Sequence, residues 1–189
     1  MESFAALGLA ATEASLRQAP LLVTHVWAGP HWRPVRTGGE PTSRADAERL
    51  LAAATGWLRR HHPRVQVCGQ LPLGEPAEVL AGESGTADLV VVGHRGTGHA
   101  AGGWGSVAAR LSDTCDAPLL VRVFRPRAGE PPTGAPVVVA VPAAAPSPSL
   151  IGFAFEEAAR HGAPLAACHV WPAAPLPADA QARRAGTAA

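Results

Sequence analysis

The sequence predicts an α/β protein built on a doubly wound parallel sheet, and three observations carry that prediction. Short apolar runs, LLVTHVW, VQVCGQ, DLVVV, PLLVRV and PVVVAV, alternate with amphipathic helical stretches along most of the chain. The runs are continuously hydrophobic, which suits strands covered on both faces. A loop carrying Gly93, Gly96, Gly98, Gly102, Gly103 and Gly105 follows one run and leads into a helix at Ser106, and ligands of doubly wound folds sit at such carboxyl ends of strands.

Taken in order, residues 3–18 place Phe4, Leu7, Ala11 and Ala14 on one helical face, with Ser3 as the expected cap and Arg17 in the last turn. Pro20 then opens the strand run 21–27. The stretch AGPHWRPVRTGGEPT is a long loop by its Gly and Pro content. Ser43, with Asp46 three residues on, starts a second helix whose Ala47, Leu50, Leu51, Ala54 and Leu58 repeat at helical spacing until Pro63. A short strand around Val65 and Val67 follows, and Pro76 suits the first turn of a helix running to about Ser84. Strand 88–92, the glycine loop, a helix from Ser106 to about Asp113 and a strand at 118–123 complete this part.

Residues 124–135 read as a linker, so the expected organisation is a first unit at 1–123, a second at 136–171 and a disordered tail at 172–189. The second unit opens with PVVVAV at 136–141, then a helix marked by Ile151, Ala154, Phe155 and Ala158. Its APLAACHVW at 163–171 repeats APLLVTHVW at 19–27: 163 less 19 gives an offset of 144, which also maps Ser3 to Ser147, Glu13 to Glu157 and Ala14 to Ala158. The same offset carries 136–141 ahead of Met1. The first unit is therefore expected to lack its opening strand, the second to be only a beginning, and 136–141 has the composition to fill the vacant place.

At 189 residues, 47% of them hydrophobic, the chain can bury a real core. A formal charge of +1 with interspersed charges argues against a nucleic-acid or membrane-surface partner. Cys68, Cys115 and Cys168 are odd in number and set in apolar or strand-like contexts, as expected of reduced core thiols in a cytoplasmic protein. The apolar N-terminus carries Glu2 where a signal peptide has a basic residue, and no run approaches the ~18 residues of a membrane span.

Chemically, the glycine loop and the helix start form an anion cradle: backbone N–H groups turn inward unobstructed, and the helix adds the positive end of its dipole. The chain contains no lysine, and a Walker loop needs one for the outer phosphates, so that chemistry is excluded. On the residues alone, a nucleotide cradle and a loop kept for its turn geometry both remain open. Arg95 and Arg110 can counter phosphate charge or be solvated, and Ser106 can donate to a phosphate or cap its helix. His25 and His169, each before Val at equivalent strand ends, read as hydrogen-bonded structural histidines, and His61-His62 as surface. No GxSxG elbow, Schiff-base lysine or activated cysteine is present, so no catalytic residue is assigned. His94 and His99 flank the loop, but no Cys/His/Asp cluster at metal-ligand spacing joins them.

The loop resembles that of the universal stress protein family, Gly-x2-Gly-x9-Gly-Ser/Thr after a VVG strand: Gly93, Gly96, Gly105 and Ser106 match in type and order, with eight residues between Gly96 and Gly105 where the family has nine. APLLVTHVW, GEPAEVLAGES, ADLVVVGHRG and GSVAARLSDTCDAPLLVRV resemble the family's successive elements. The resemblance implies a five-stranded parallel sheet of order 3-2-1-4-5, and the chain is similar to a tandem member cut at both ends. It implies ATP as cofactor, with Val26 beside the adenine and Gly93, Arg95, Gly96, Gly105, Ser106 and Val107 on ribose and phosphates. The family's further Asp, at the end of its first strand, has no counterpart in the first unit, and the second has Val141-Pro142 there. The implied function is a nucleotide-binding stress-response regulator with at most slow ATP hydrolysis, forming a homodimer or strand-swapped dimer. The alternatives are a scaffold module that binds no nucleotide and a truncated gene product.

Overall fold

A computed structural model describes residues 2–29, 43–93, 106–122, 134–141 and 147–169. The chain divides into two compact units between Gly129 and Glu130. The first contains α1 (Glu2–Arg17), β1 (Leu21–Thr24), α2 (Arg44–His61), β2 (Val67–Gln70), α3 (Pro76–Ser84), β3 (Val90–Gly93), α4 (Ser106–Thr114) and β4 (Leu119–Arg122). The second contains β5 (Val137–Ala140), α5 (Pro148–His161) and β6 (Leu165–Cys168). The α/β class and the strand–helix alternation follow the sequence. The expected linker and tail fall largely outside the described residues.

Local chemistry sets the boundaries. Ser43 caps α2 by accepting from the Asp46 N–H at 3.1 Å, and Pro76 stands in the first turn of α3 behind the capping carboxylate of Glu75. Ser3 does not cap α1: the helix starts at Glu2, so Ser3 lies inside it. The run expected as strand to Trp27 leaves its regular ladder after Thr24. Its partner there presents Pro72, which has no N–H to give. Pairing returns as one bridge between Trp27 and Leu73, with Trp27 N–H donating to Pro72 O at 2.9 Å. Val65 lies outside β2 because its N–H closes a turn onto His62 O at 3.0 Å.

Every strand pair is parallel, as expected, but the described strands form three two-stranded sheets, β1–β2, β3–β4 and β5–β6, in place of one continuous sheet. In the first unit α1 packs on β1, β3 and β4 and against α2, while α2 packs on β2 and β1 and α3 packs against α4. Leu58 centres the core with Ala11, Ala14, Val65 and Val67. Eight of the thirteen buried apolar residues described are alanines. At Gly69 a Cβ would stand 2.9 Å from the Thr55 methyl, so α2 rides on β2 at a distance only glycine permits.

The expectation of core thiols fails for two cysteines. Cys68 and Cys168 are exposed and Cys115 is half-buried. Cys68 follows the buried Val67 and so points to the opposite face of β2. Positions 144 apart share one corner geometry. Gln18 (φ 53°) and Gly162 (φ 59°) are both left-handed after their helices. Ala19 and Ala163 donate to Ala14 O and Ala158 O at 3.0 and 2.9 Å.

Candidate functional site

Parallel strands followed by helices leave their carboxyl ends as the place where chain turns and backbone donors collect. Val26 lies two residues past β1, half-buried. It is held between His25, whose N–H bonds Gln70 O at 3.1 Å, and Trp27, fixed on Pro72. Gly93 is the exposed last residue of β3, in register with Arg122. Ser106 is the first residue of α4, and Val107 is half-buried in its first turn. Arg95, Gly96 and Gly105 lie outside the described residues. Among the matched positions, then, Gly93, Ser106 and Val107 bracket one loop on the β3–β4 pair, and Val26 belongs to the β1–β2 pair.

The start of α4, like that of α5, has no acidic residue in its first turn. Helices α2 and α3 carry Asp46 and Glu78 in their first turns, whereas α4 carries no acid there. Its dipole end is left uncompensated by its own sequence, which favours an anion. Gly93, without a Cβ, ends β3 where the same loop begins. These residues fit a phosphate-bearing group.

Arg110, one turn along α4, does not stand free for a phosphate. Its Nη1 lies 2.8 Å from Glu75 Oε2 and its Nη2 3.4 Å from Glu78 Oε1. The guanidinium ties α4 to the first turn of α3. At 50% exposure the bridge is screened, and such pairs contribute about 0–1 kcal/mol.

A polar cluster escaped the sequence reading. Gln70 Nε2 donates to Thr24 Oγ1 at 3.0 Å and to Glu83 Oε2 at 2.5 Å, joining β1, β2 and α3. Its only sequence signal is two polar residues closing otherwise apolar strands. His25 is half-buried, and burial lowers its pKa from 6.5. His169 is exposed, with Nδ1 2.7 Å from Val141 O.

Fold and site together define a parallel α/β protein whose glycine-bounded loop leads from a strand's carboxyl end into a helix start. Comparison with known proteins narrows this class. The universal stress protein family profile matches residues 2–122. The chain is 37% identical over 107 residues to universal stress protein Rv1996 of Mycobacterium tuberculosis, covering 56% of this chain and 33% of that protein. It is 32% identical over 183 residues to universal stress protein Rv2005c of the same species, covering 90% of this chain and 61% of that one. A universal stress protein of Mycolicibacterium smegmatis is 32% identical over 180 residues, covering 90% and 60%. The chain belongs to the universal stress protein family. It spans from one third to about three fifths of the length of these relatives.

Proposed function

We propose that this chain is an adenine-nucleotide-binding regulator of the stress response, working in the cytoplasm as a homodimer and built as a tandem of related units. One observation carries the nucleotide reading: the loop between Gly93 and Ser106 enters a helix with no acid in its first turn, where backbone N–H groups and the dipole favour phosphate. Family membership supports the stress-response role. Among the described residues, no helix is long and apolar enough to cross a membrane.

In this reading Gly93, Ser106 and Val107, with Arg95, Gly96 and Gly105, hold ribose and phosphates, and Val26 borders the base. The nucleotide supplies charge and binding energy that bias the protein's interactions, and no residue of the chain is assigned to hydrolysis. One observation favours the scaffold reading instead: Arg110 is already paired with Glu75 and Glu78.

Calorimetric titration of the full chain with ATP tests the proposal, with Gly105→Asp as control because it sets a carboxylate in the cradle. Saturable binding that the variant loses is expected. No heat at millimolar ATP from a folded chain overturns the nucleotide reading and leaves the scaffold.

A further inference from the structure

The polar cluster at the carboxyl end of the β1–β2 pair is fixed in one sense. Thr24 and Gln70 stand in register across the two strands, and Gln70 Nε2 donates to Thr24 Oγ1 at 3.0 Å and to Glu83 Oε2 of α3 at 2.5 Å. The two partners differ in what they demand. A hydroxyl gives or takes a hydrogen bond, so Thr24 suits either orientation of the amide. A carboxylate only accepts, so Glu83 holds the NH2 side of Gln70 toward itself. Both amide hydrogens are then used. The carbonyl oxygen Oε1 has no hydrogen-bond partner among the described residues, and it cannot be exchanged for a donor without breaking the bond to Glu83.

That acceptor lies close to Val26. Thr24 and Val26 are two apart in a run that stays extended, since His25 and Trp27 donate to Gln70 O and Pro72 O in turn, so their side chains leave the same face about 7 Å apart. Gln70 shares that face through its bond to Thr24, while its neighbour Gly69 turns to the opposite one, against Thr55 and Leu51 of α2. Thr24, Val26, Gln70 and Glu83 are all half-buried. They are open enough to meet the edge of a ligand, and sheltered enough that a mismatched polar group there loses water it cannot replace.

We propose that Gln70 Oε1 selects the base of the bound nucleotide by accepting a hydrogen bond from its exocyclic amino group, and that Glu83 is the positioning residue that makes the selection one-sided. Adenine presents an amino group at position 6, where guanine and hypoxanthine carry a carbonyl oxygen. The amino group meets Oε1 as donor to acceptor. A carbonyl oxygen sets two acceptors against each other, and the amide cannot turn to answer it while its NH2 is held by Glu83. Val26 supplies an apolar side chain for the face of the base, and Gln70 reads its edge. The inference rests on the nucleotide reading, with Val26 at the base, and adds to it the group that tells one base from another.

Calorimetric titration of the full chain with ATP and with inosine triphosphate isolates the selection, because the two nucleotides differ only at position 6 and the adjoining N1. ATP is expected to bind at least about tenfold more tightly. Gln70→Met is expected to bring the two within about threefold of each other, by loss of ATP affinity. Glu83→Met frees the amide to turn while keeping Gln70, so affinity for inosine triphosphate is expected to rise at least about fivefold with little change for ATP. Glu83→Gln, whose own amide gives or takes, is expected to relax the selection in the same direction and serves if Glu83→Met does not fold. Equal binding of the two nucleotides by the unsubstituted chain overturns the selection and keeps the nucleotide reading. So does an undiminished ratio in Gln70→Met. Glu83 variants that weaken both nucleotides alike, with the ratio unchanged, assign Glu83 a structural role and overturn its part in the proposal. No heat from either nucleotide with a folded chain overturns the nucleotide reading and this inference together.

Discussion

Replacing Gln18 by glycine is expected to stabilise the first unit, against the usual effect of adding glycine. Gln18 holds φ 53° at the corner where α1 turns into β1, and an L-residue pays about 1–2 kcal/mol there. Its side chain is exposed. Glycine removes the strain but widens the unfolded ensemble, which returns about 0.5–1 kcal/mol. The net expectation is a gain of about 0.5–1 kcal/mol, or about 1–4 °C in Tm for a chain of this size. The reverse change at the matching corner isolates the backbone term. Gly162 holds φ 59° with open space where a Cβ would stand, so Gly162→Ala meets no clash and should cost about the same 0.5–1 kcal/mol. Urea unfolding followed by far-UV circular dichroism reads both. A loss of stability in Gln18→Gly, or a neutral Gly162→Ala, would refute left-handed strain as the governing term.

Other perturbations probe packing and charge. Leu58 is fully buried at 0% exposure in the cluster with Ala11, Ala14, Val65 and Val67, so Leu58→Ala should cost about 2–5 kcal/mol, while Leu50→Ala, at 57% exposure on the same helix, stays within about 0.5 kcal/mol by denaturant titration. Gly69→Ala drives a methyl against Thr55 and Leu51 and should cost about 1–3 kcal/mol, with Gly69→Ala/Thr55→Ser recovering part of it in the same assay. His25 titrates below its unfolded value of 6.5 because burial disfavours the cation. Stability is therefore complete above pH 6.5 and falls as pH drops from there through the lowered folded value, and His25→Gln should flatten that part of the stability–pH curve.

What the sequence made legible was whatever local chemistry decides. Ser43, Pro76 and Pro63 placed helix ends because caps and missing N–H groups act within a turn. The valine runs placed strands because β-branched residues favour extended backbone, although the described strands are not covered on both faces: in β5, Val139 is 5% and Val138 61% exposed. The boundary at Thr24 was hidden, since it depends on Pro72 lying opposite, 48 residues away by number. Arg110 read as a free cation because nothing local announces that Glu75 and Glu78 lie beside it. The Gln70 cluster was equally silent, its partners coming from a neighbouring strand and a helix. For the glycine loop, the residue types and the bracketing strand and helix were readable, and the hydrogen-bond geometry that makes a ligand site was not.

The alanine-rich interior bears on how the protein yields. A methyl group brings helix and sheet close, so a helix cannot roll or slide without Cβ collisions, and small-amplitude motion is restrained. The same methyl buries little area, so lifting a whole helix away exposes little apolar surface and costs correspondingly little. Such a body is stiff against bending yet inexpensive to open, and its characteristic excursion should be detachment of an intact helix, not gradual loosening of the core.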